Sequence, residues 1–402
     1  MVQDYSLHLA NATFMSKNRD MSSKSLTNLL LLGSGADPLS ERGVTCAGEI
    51  PAASDPELRE RARNARASLG SRAIILGHHY QRDEVIEFAD ITGDSFKLAQ
   101  AAQAESSAEF VIFCGVHFMA ESADILTSDF QKVILPDLAA GCSMADMATA
   151  SQVANCWNDL KSLGITEATI PVTYMNSSAA IKSFTGENGG TICTSSNAKA
   201  AMEWAFTQGE KILFLPDQHL GRNTAVTQLG LSLSDCVLWN PWKPMGGLTA
   251  AEILAAKVIL WRGHCSVHGR FTKESIDELR ERVEGIQILV HPECTHEVAT
   301  NADFVGSTEF IIQTIEAAPA GSKWAIGTEF NLVSRLAKTH PDKEIVYLDK
   351  TLCYCSTMNR IDLPHLVWVM ESLVAGHVVN QIKVAPAISH YSQLALQRML
   401  DL

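Results

Sequence analysis

From Arg72 onward the chain repeats one pattern: a short aliphatic run, a polar loop, then an amphipathic stretch. Strands that alternate with helical segments imply α/β architecture with parallel sheets. AIILGHHY, EFVIFCGVHF and KVILPD form a first cluster of strand candidates. ATIPVTYMN, GTICTSS, KILFLPD and KVILWRGHC form a second, and IQILVHPE, ADFVGSTEF, KWAIGTEF and EIVYLD a third. Helical segments such as SFKLAQAAQ, SAAIKSFTG, NAKAAMEWAFTQG, TKESIDELRERVE and STEFIIQTIEAAP lie between them. The clustering predicts three similar α/β/α sandwich domains with small parallel sheets, although no residue-level repeat runs through the chain.

Many of these strands end in chemically capable residues: HHY, YMN, TSSN, HPE and GSTE. Ligands of parallel sheets gather outside the carboxyl ends of strands, where helix N-termini also point. One polar strand end is an ordinary turn. Several, spread over three clusters, imply sheets aimed at one shared centre.

Composition narrows the function classes. A formal charge of −13 over 402 residues argues against nucleic acid as a partner, which needs a basic surface. No apolar run reaches the roughly 18–20 residues of a membrane span. LLLLG at 29–33 lacks the flanks of a signal peptide, so the chain reads as cytoplasmic. Its ten cysteines then point to reduced thiols, metal ligation or catalysis rather than disulfides. They are dispersed, with no CxxC pair, which excludes a zinc ribbon; a buried core thiol is the plain reading of any one alone.

The motifs GHHYQ with ITGDS, FCGVHFMAES, PDLAAGCSMAD, VTYMNSSAAIK, CTSSNA, FLPDQHLGRN, WRGHCSVHGRF, VHPEC, GSTEF and CYCSTMNRIDLPHL occur in this order between about Arg72 and Leu373. Together they resemble the quinolinate synthases, iron–sulfur enzymes of de novo NAD synthesis. The resemblance implies three α/β domains in pseudo-threefold arrangement around a central active site. The expected units are an N-terminal extension at 1–70, partly helical near 57–69, and domains at 71–165 (joined by C-terminal helices at 360–402), 166–265 and 266–359. The segment at 200–262, containing SDCVLWNPWKPMGG, marks a longer variant; Trp239, Pro241, Trp242 and Pro244 are expected to pack.

The resemblance also implies a [4Fe-4S] cluster with one cysteine from each domain and one open iron. Cys142, expected at a helix start where the dipole favours thiolate, is the first ligand, and Cys265 the second. The third lies in CYCST, where Cys355 is favoured and Cys353 stays an alternative. Three thiolates for four irons leave a position that can bind substrate as a Lewis acid. The implied reaction condenses iminoaspartate with dihydroxyacetone phosphate, losing phosphate and two waters, a transferase chemistry of the EC 2.5.1 type.

His78, Ser95, Tyr174, Met175, Asn176, Ser195, His291, Pro292, Glu293 and Thr308 match family positions that contact substrate. Tyr80, His268, His291 and Glu293 are the candidates for proton transfer, Glu293 because burial at a strand end raises a carboxyl pKa. Met119 is expected near the cluster, Arg222 either attracts an anion or braces a loop, and His79, His117, His219, His264 and His296 read as structural. An aspartate-oxidising enzyme is a functional partner in supplying the imine, and self-association is left open. Two alternatives stand beside this: another [4Fe-4S] hydratase or dehydratase of a small hydroxy acid, and a non-catalytic iron–sulfur sensor. Zinc in place of iron would leave the protein colourless.

Overall fold

The computed structural model describes residues 50–402. Most of the expected N-terminal extension, with Cys46, lies outside the described residues; the helical stretch read near 57–69 is the helix Leu58–Leu69. The first sheet contains β1 (Ala73–His78), β2 (Ile91–Gly93), β3 (Phe110–Cys114) and β4 (Lys132–Ile134). The second contains β5 (Thr169–Tyr174), β6 (Thr191–Cys193), β7 (Lys211–Leu215), β8 (Cys236–Trp239) and β9 (Val258–Trp261). The third contains β10 (Gln287–Val290), β11 (Phe304–Val305), β12 (Lys323–Gly327) and β13 (Glu344–Tyr347). A last short strand, β14 (Gln381–Ile382), returns to the first sheet and pairs antiparallel with β4.

One topology is used three times. The strand orders are β2–β1–β3–β4, β6–β5–β7–β9 and β11–β10–β12–β13, all parallel, with β8 added outside β9 and β14 outside β4. The central strands are covered on both faces, so Ile75, Leu76, Val111, Ile112, Leu213, Phe214, Ile288 and Leu289 are all fully buried. That is why they read as continuous apolar runs rather than as alternating ones.

Helices begin just beyond the strand ends because the sequence supplies caps there. Asp94 accepts from Phe96 N and Lys97 N, Ser307 from Phe310 N, and Asp217 from His219 N and Leu220 N. The helix Leu363–Val374 packs against Leu58–Leu69, whereas Pro386–Asp401 packs against Ala179–Glu187 beside the second sheet.

Two local expectations change. The middle segment does not simply pack over the surface: Cys236–Trp239 is the edge strand β8, with Trp239 buried and Trp242 84% exposed. Cys142 does not open an α-helix. It precedes a single 3-10 turn, Ala145–Met147, and the α-helix begins only at Ala150 after the Thr149 cap.

Candidate active site

In each sheet the order reverses beside the first strand of its unit, where the flanking loops part and leave a crevice. Those strands are β1, β5 and β10, which run out into His78–Tyr80, Tyr174–Asn176 and His291–Glu293. Their ends meet in one cavity, lined by His78, Tyr80, Tyr174, Asn176, His291 and Glu293. Ser95, Ser195 and Thr308, which follow β2, β6 and β11, line it too. Each triplet turns off its strand, closed by bonds such as Gln81 N to the His78 carbonyl and Cys294 N to the His291 carbonyl. The middle member of each triplet stays out of the cavity lining. Met175 is buried, with its sulfur accepting from Ser122 Oγ at 3.3 Å. The Pro292 carbonyl accepts from Asn223 Nδ2 at 2.8 Å. Neither lines the cavity, although both belong to the expected substrate-binding set.

Two of the triplets fix their histidines in the same way. His78 Nδ1 accepts from Tyr80 N at 3.1 Å, and His291 Nδ1 accepts from Glu293 N at 3.3 Å. A ring that accepts at Nδ1 carries its proton on Nε2. Burial, helped by neighbouring histidines, pushes both rings down to about 3, so both are neutral Nε2–H donors. His291 Nε2 lies 3.2 Å from Ser195 Oγ.

Glu293 is the most heavily bonded group. Its Oε1 accepts from Tyr174 Oη at 2.5 Å, and Oε2 lies 2.8 Å from His268 Nδ1. The His268 ring stacks on His291 with centroids 4.5 Å apart. Burial alone raises a carboxyl, but the His268 contact and the Tyr174 hydroxyl outweigh it and hold Glu293 below its usual range. The expectation of a raised pKa at this position is thus reversed. Tyr80 Oη bonds Thr308 Oγ1 and Thr328 Oγ1, each at 2.8 Å, and burial pushes both Tyr80 and Tyr174 well above the ordinary tyrosine range.

Three thiols complete the lining. Cys142, Cys265 and Cys355 follow β4, β9 and β13, the strands in the fourth place of each unit. Each is followed three residues later by the start of a 3-10 turn: Ala145, His268 and Met358. The amide of that residue donates to the sulfur in every case, a bond that favours thiolate. Burial still pushes all three thiols up, and a charge on Cys355 raises Cys142 and Cys265 further. Such a trio needs a cation to hold it as thiolate, and three soft donors beside apolar Val116, Phe118, Met119 and Met358 suit an iron–sulfur cluster. Cys353 does not line the cavity; its sulfur lies 3.9 Å from the Tyr354 carbonyl, and its own carbonyl accepts from Tyr347 Oη.

Ligand atoms of Cys265, His268 and Glu293 also lie within 4.8 Å of one another, a geometry open to a single ion. His268 Nδ1 and Glu293 Oε2 already bond each other, so an ion there would have to break that pair.

Comparison with known proteins gives the family. A family model described as "Quinolinate synthetase A protein" matches residues 60–401. The chain belongs to the quinolinate synthase family. It is 67% identical to the quinolinate synthase of Streptomyces coelicolor over 376 residues, covering 93% of this chain and 95% of the relative. The quinolinate synthase of Nocardioides sp. is 66% identical over 380 residues (93% and 96%), and that of Corynebacterium glutamicum 55% identical over 353 (88% and 89%).

Sequence reasoning missed two groups that line the cavity and a third that bonds two lining residues. Asp94 lines it and accepts from Ser196 Oγ at 2.7 Å. Glu329 lines it, caps the helix Phe330–Thr339, accepts from Cys355 N at 3.3 Å, and is pushed by burial up to about 7. Thr328, fully buried, joins Tyr80 to His268. A signal existed: GTEF at 327–330 repeats the GSTEF of 306–310, whose Thr308 was singled out.

Proposed function

We propose that this chain makes quinolinate from iminoaspartate and dihydroxyacetone phosphate, releasing phosphate and two waters, as a transferase of de novo NAD synthesis. The observation that carries the reading is that three thiols, one from each repeated sheet, share a cavity with neutral hydrogen-bond donors and one buried acid–base pair. Cys142, Cys265 and Cys355 would hold a [4Fe-4S] cluster, and Cys353 would stay outside it. When bound, the cluster supplies an open iron that polarises a substrate oxygen or nitrogen.

The protein's own residues divide the remaining work. The Nε2–H groups of His78 and His291, with Ser95, Asn176, Ser195 and Thr308, donate to substrate carboxylates and phosphate, and Tyr174, whose proton Glu293 holds, contacts substrate from the same wall. Fixed neutral donors hold such anions without bringing a second charge into the cavity. Met175 and Pro292 contribute through the backbone they set. Glu293 and His268 take and return protons, Tyr80 supplies a hydroxyl beside them, and the neutral His291 acts first as a donor. The domains are taken as 71–165 joined by the helix Leu363–Val374, 166–265 with Pro386–Asp401 packed on it, and 266–359, with the substrates bound between them.

Among the described residues no helix is long and apolar enough to cross a membrane. We assign the enzyme to the cytoplasm, where an aspartate-oxidising enzyme supplies the unstable imine. The test is an anaerobic assay of cluster-loaded protein with dihydroxyacetone phosphate and imine generated in place. Quinolinate formation supports the reading; a brown, iron-replete protein that forms none refutes it.

A further inference from the structure

We propose that the ion pair of Asp137 and Arg360 is a clamp that holds the Cys142 and Cys355 thiols in place for a cluster; this rests on the three-thiol reading given above. Asp137 stands five residues before Cys142, and Arg360 five residues after Cys355. One follows β4 of the first sheet and the other follows β13 of the third, yet Arg360 Nε lies 2.8 Å from Asp137 Oδ2. His365 Nε2, from the same segment as Arg360, approaches that oxygen to 3.7 Å. Neither Asp137 nor Arg360 lines the cavity, so the pair acts on the site only through the two loops it joins.

Each partner is built into the turn that presents its thiol. Asp137 Oδ1 accepts from Ala139 N at 2.9 Å, and the Asp137 carbonyl accepts from Ala140 N at 2.9 Å, which folds the chain toward Cys142. Arg360 closes the 3-10 turn Met358–Arg360, whose first amide donates to the Cys355 sulfur. Asp137 is only 1% exposed, whereas the Arg360 side chain keeps 28%. A carboxylate buried to that degree needs a cation, and here the cation comes from the loop of another ligand. A second tie backs the first: Arg82 Nε and Nη2 donate to the Asn359 carbonyl at 3.1 and 2.9 Å. The Cys355 turn therefore stays docked on the first sheet's loops when the ion pair is removed, and what the pair sets is the spacing of the two thiols. Removing the outer partners of metal ligands typically costs about 10–100-fold in metal affinity.

The test uses the full chain, loaded anaerobically with iron and sulfide, as wild type, Asp137→Asn and Arg360→Lys. It reads iron per chain, the rate of iron loss to bipyridine, and the urea midpoint with and without iron. Asparagine keeps the shape and the acceptor for Ala139 N but drops the charge, and it strands no buried ion because Arg360 can turn to water. Asp137→Asn should lose its iron about 10–100-fold faster than wild type. Arg360→Lys, which keeps a positive charge within reach, should stay within about threefold of the wild-type rate. The urea midpoint of Asp137→Asn should fall further in the loaded chain than in the iron-free chain. An Asn variant within about twofold of the wild-type rate overturns the proposal. So does a Lys variant as fast as Asn, and so do equal midpoint shifts with and without iron, which would make the pair a brace of the fold at large. None of these readings needs turnover, so a failure to form quinolinate refutes the proposed function and leaves the clamp standing. Wild-type protein that takes up no iron refutes the three-thiol reading, and the clamp with it.

Discussion

Glu293→Gln isolates the charge at the centre of the site. Both carboxylate oxygens are in use, one on Tyr174 Oη at 2.5 Å and the other on His268 Nδ1 at 2.8 Å. Glutamine has the same shape but offers one acceptor and one NH2. If the NH2 faces Tyr174, the tyrosine hydroxyl loses its acceptor. If it faces His268, Nδ1 must accept and the ring must carry its proton on Nε2. Either way one bond is broken and the other loses its charge assistance, which costs at least about 1.5–3 kcal/mol. Converted to a rate, that alone is roughly 10–150-fold, and removal of the acid–base group itself adds about 100–10,000-fold. Turnover should therefore fall at least about 100-fold. The cluster should survive, since Glu293 is not among the three sulfur donors. The assay is anaerobic quinolinate formation, with iron content and visible absorbance measured on the same sample. A variant within tenfold of wild type, or one that loses its iron, refutes the reasoning.

Other expectations are as direct. Cys355→Ser should abolish cluster loading while Cys353→Ser retains it, scored by iron per chain after anaerobic reconstitution. A Cβ at Gly186 would overlap the Tyr391 carbonyl oxygen, so Gly186→Ala should force apart the helices Ala179–Glu187 and Pro386–Asp401 and cost about 1–3 kcal/mol, seen as a lower urea midpoint. Burial pushes His78 and His291 down to about 3 and His79 to about 4, so the folded state keeps them neutral while the unfolded chain protonates them below about 6.5. The unfolded state then binds more protons, and stability is full above pH 6.5 and falls as pH drops toward 3–4. Each ring costs about 2 kcal/mol between pH 7 and 5; His79→Gln should shrink that loss by about this amount in urea titrations at the two pH values.

The chain announces its class openly. Buried parallel strands such as Ile74–Leu76 and Ile212–Leu215 are apolar on both faces and are bounded by polar turns, so their type and ends are legible. β2 is three residues long and β14 two, which is too short to show any period. β8 was hidden by the Asn–Pro–Trp turn that follows it. Strand order was not legible at all, because it depends on which edges pair after the helices fold back. It is this order that places HHY, YMN and HPE at equivalent positions. Local residue type picked out the strand ends HHY, YMN and HPE, and the family resemblance singled out His78, Tyr174, His291 and Glu293 within them. Neither could tell that Met175 and Pro292 stay out of the cavity, which follows only from how the chain turns at each strand end. The direction of Glu293's pKa was also hidden, since the partner that reverses it, His268, lies 25 residues back in sequence. Thr328 and Glu329 were passed over as the tail of a strand, because a threonine acquires a role only when Tyr80 and His268 arrive from other sheets.

The most direct test of the central claim is Mössbauer spectroscopy of 57Fe-reconstituted, oxygen-free protein before and after addition of quinolinate. About four irons per chain should appear, and the ligand should shift the signal of one site while leaving the other three in place. A spectrum in which no site responds, or in which the iron is not arranged as a four-iron cluster, would contradict a cube held by Cys142, Cys265 and Cys355 with one corner left for substrate.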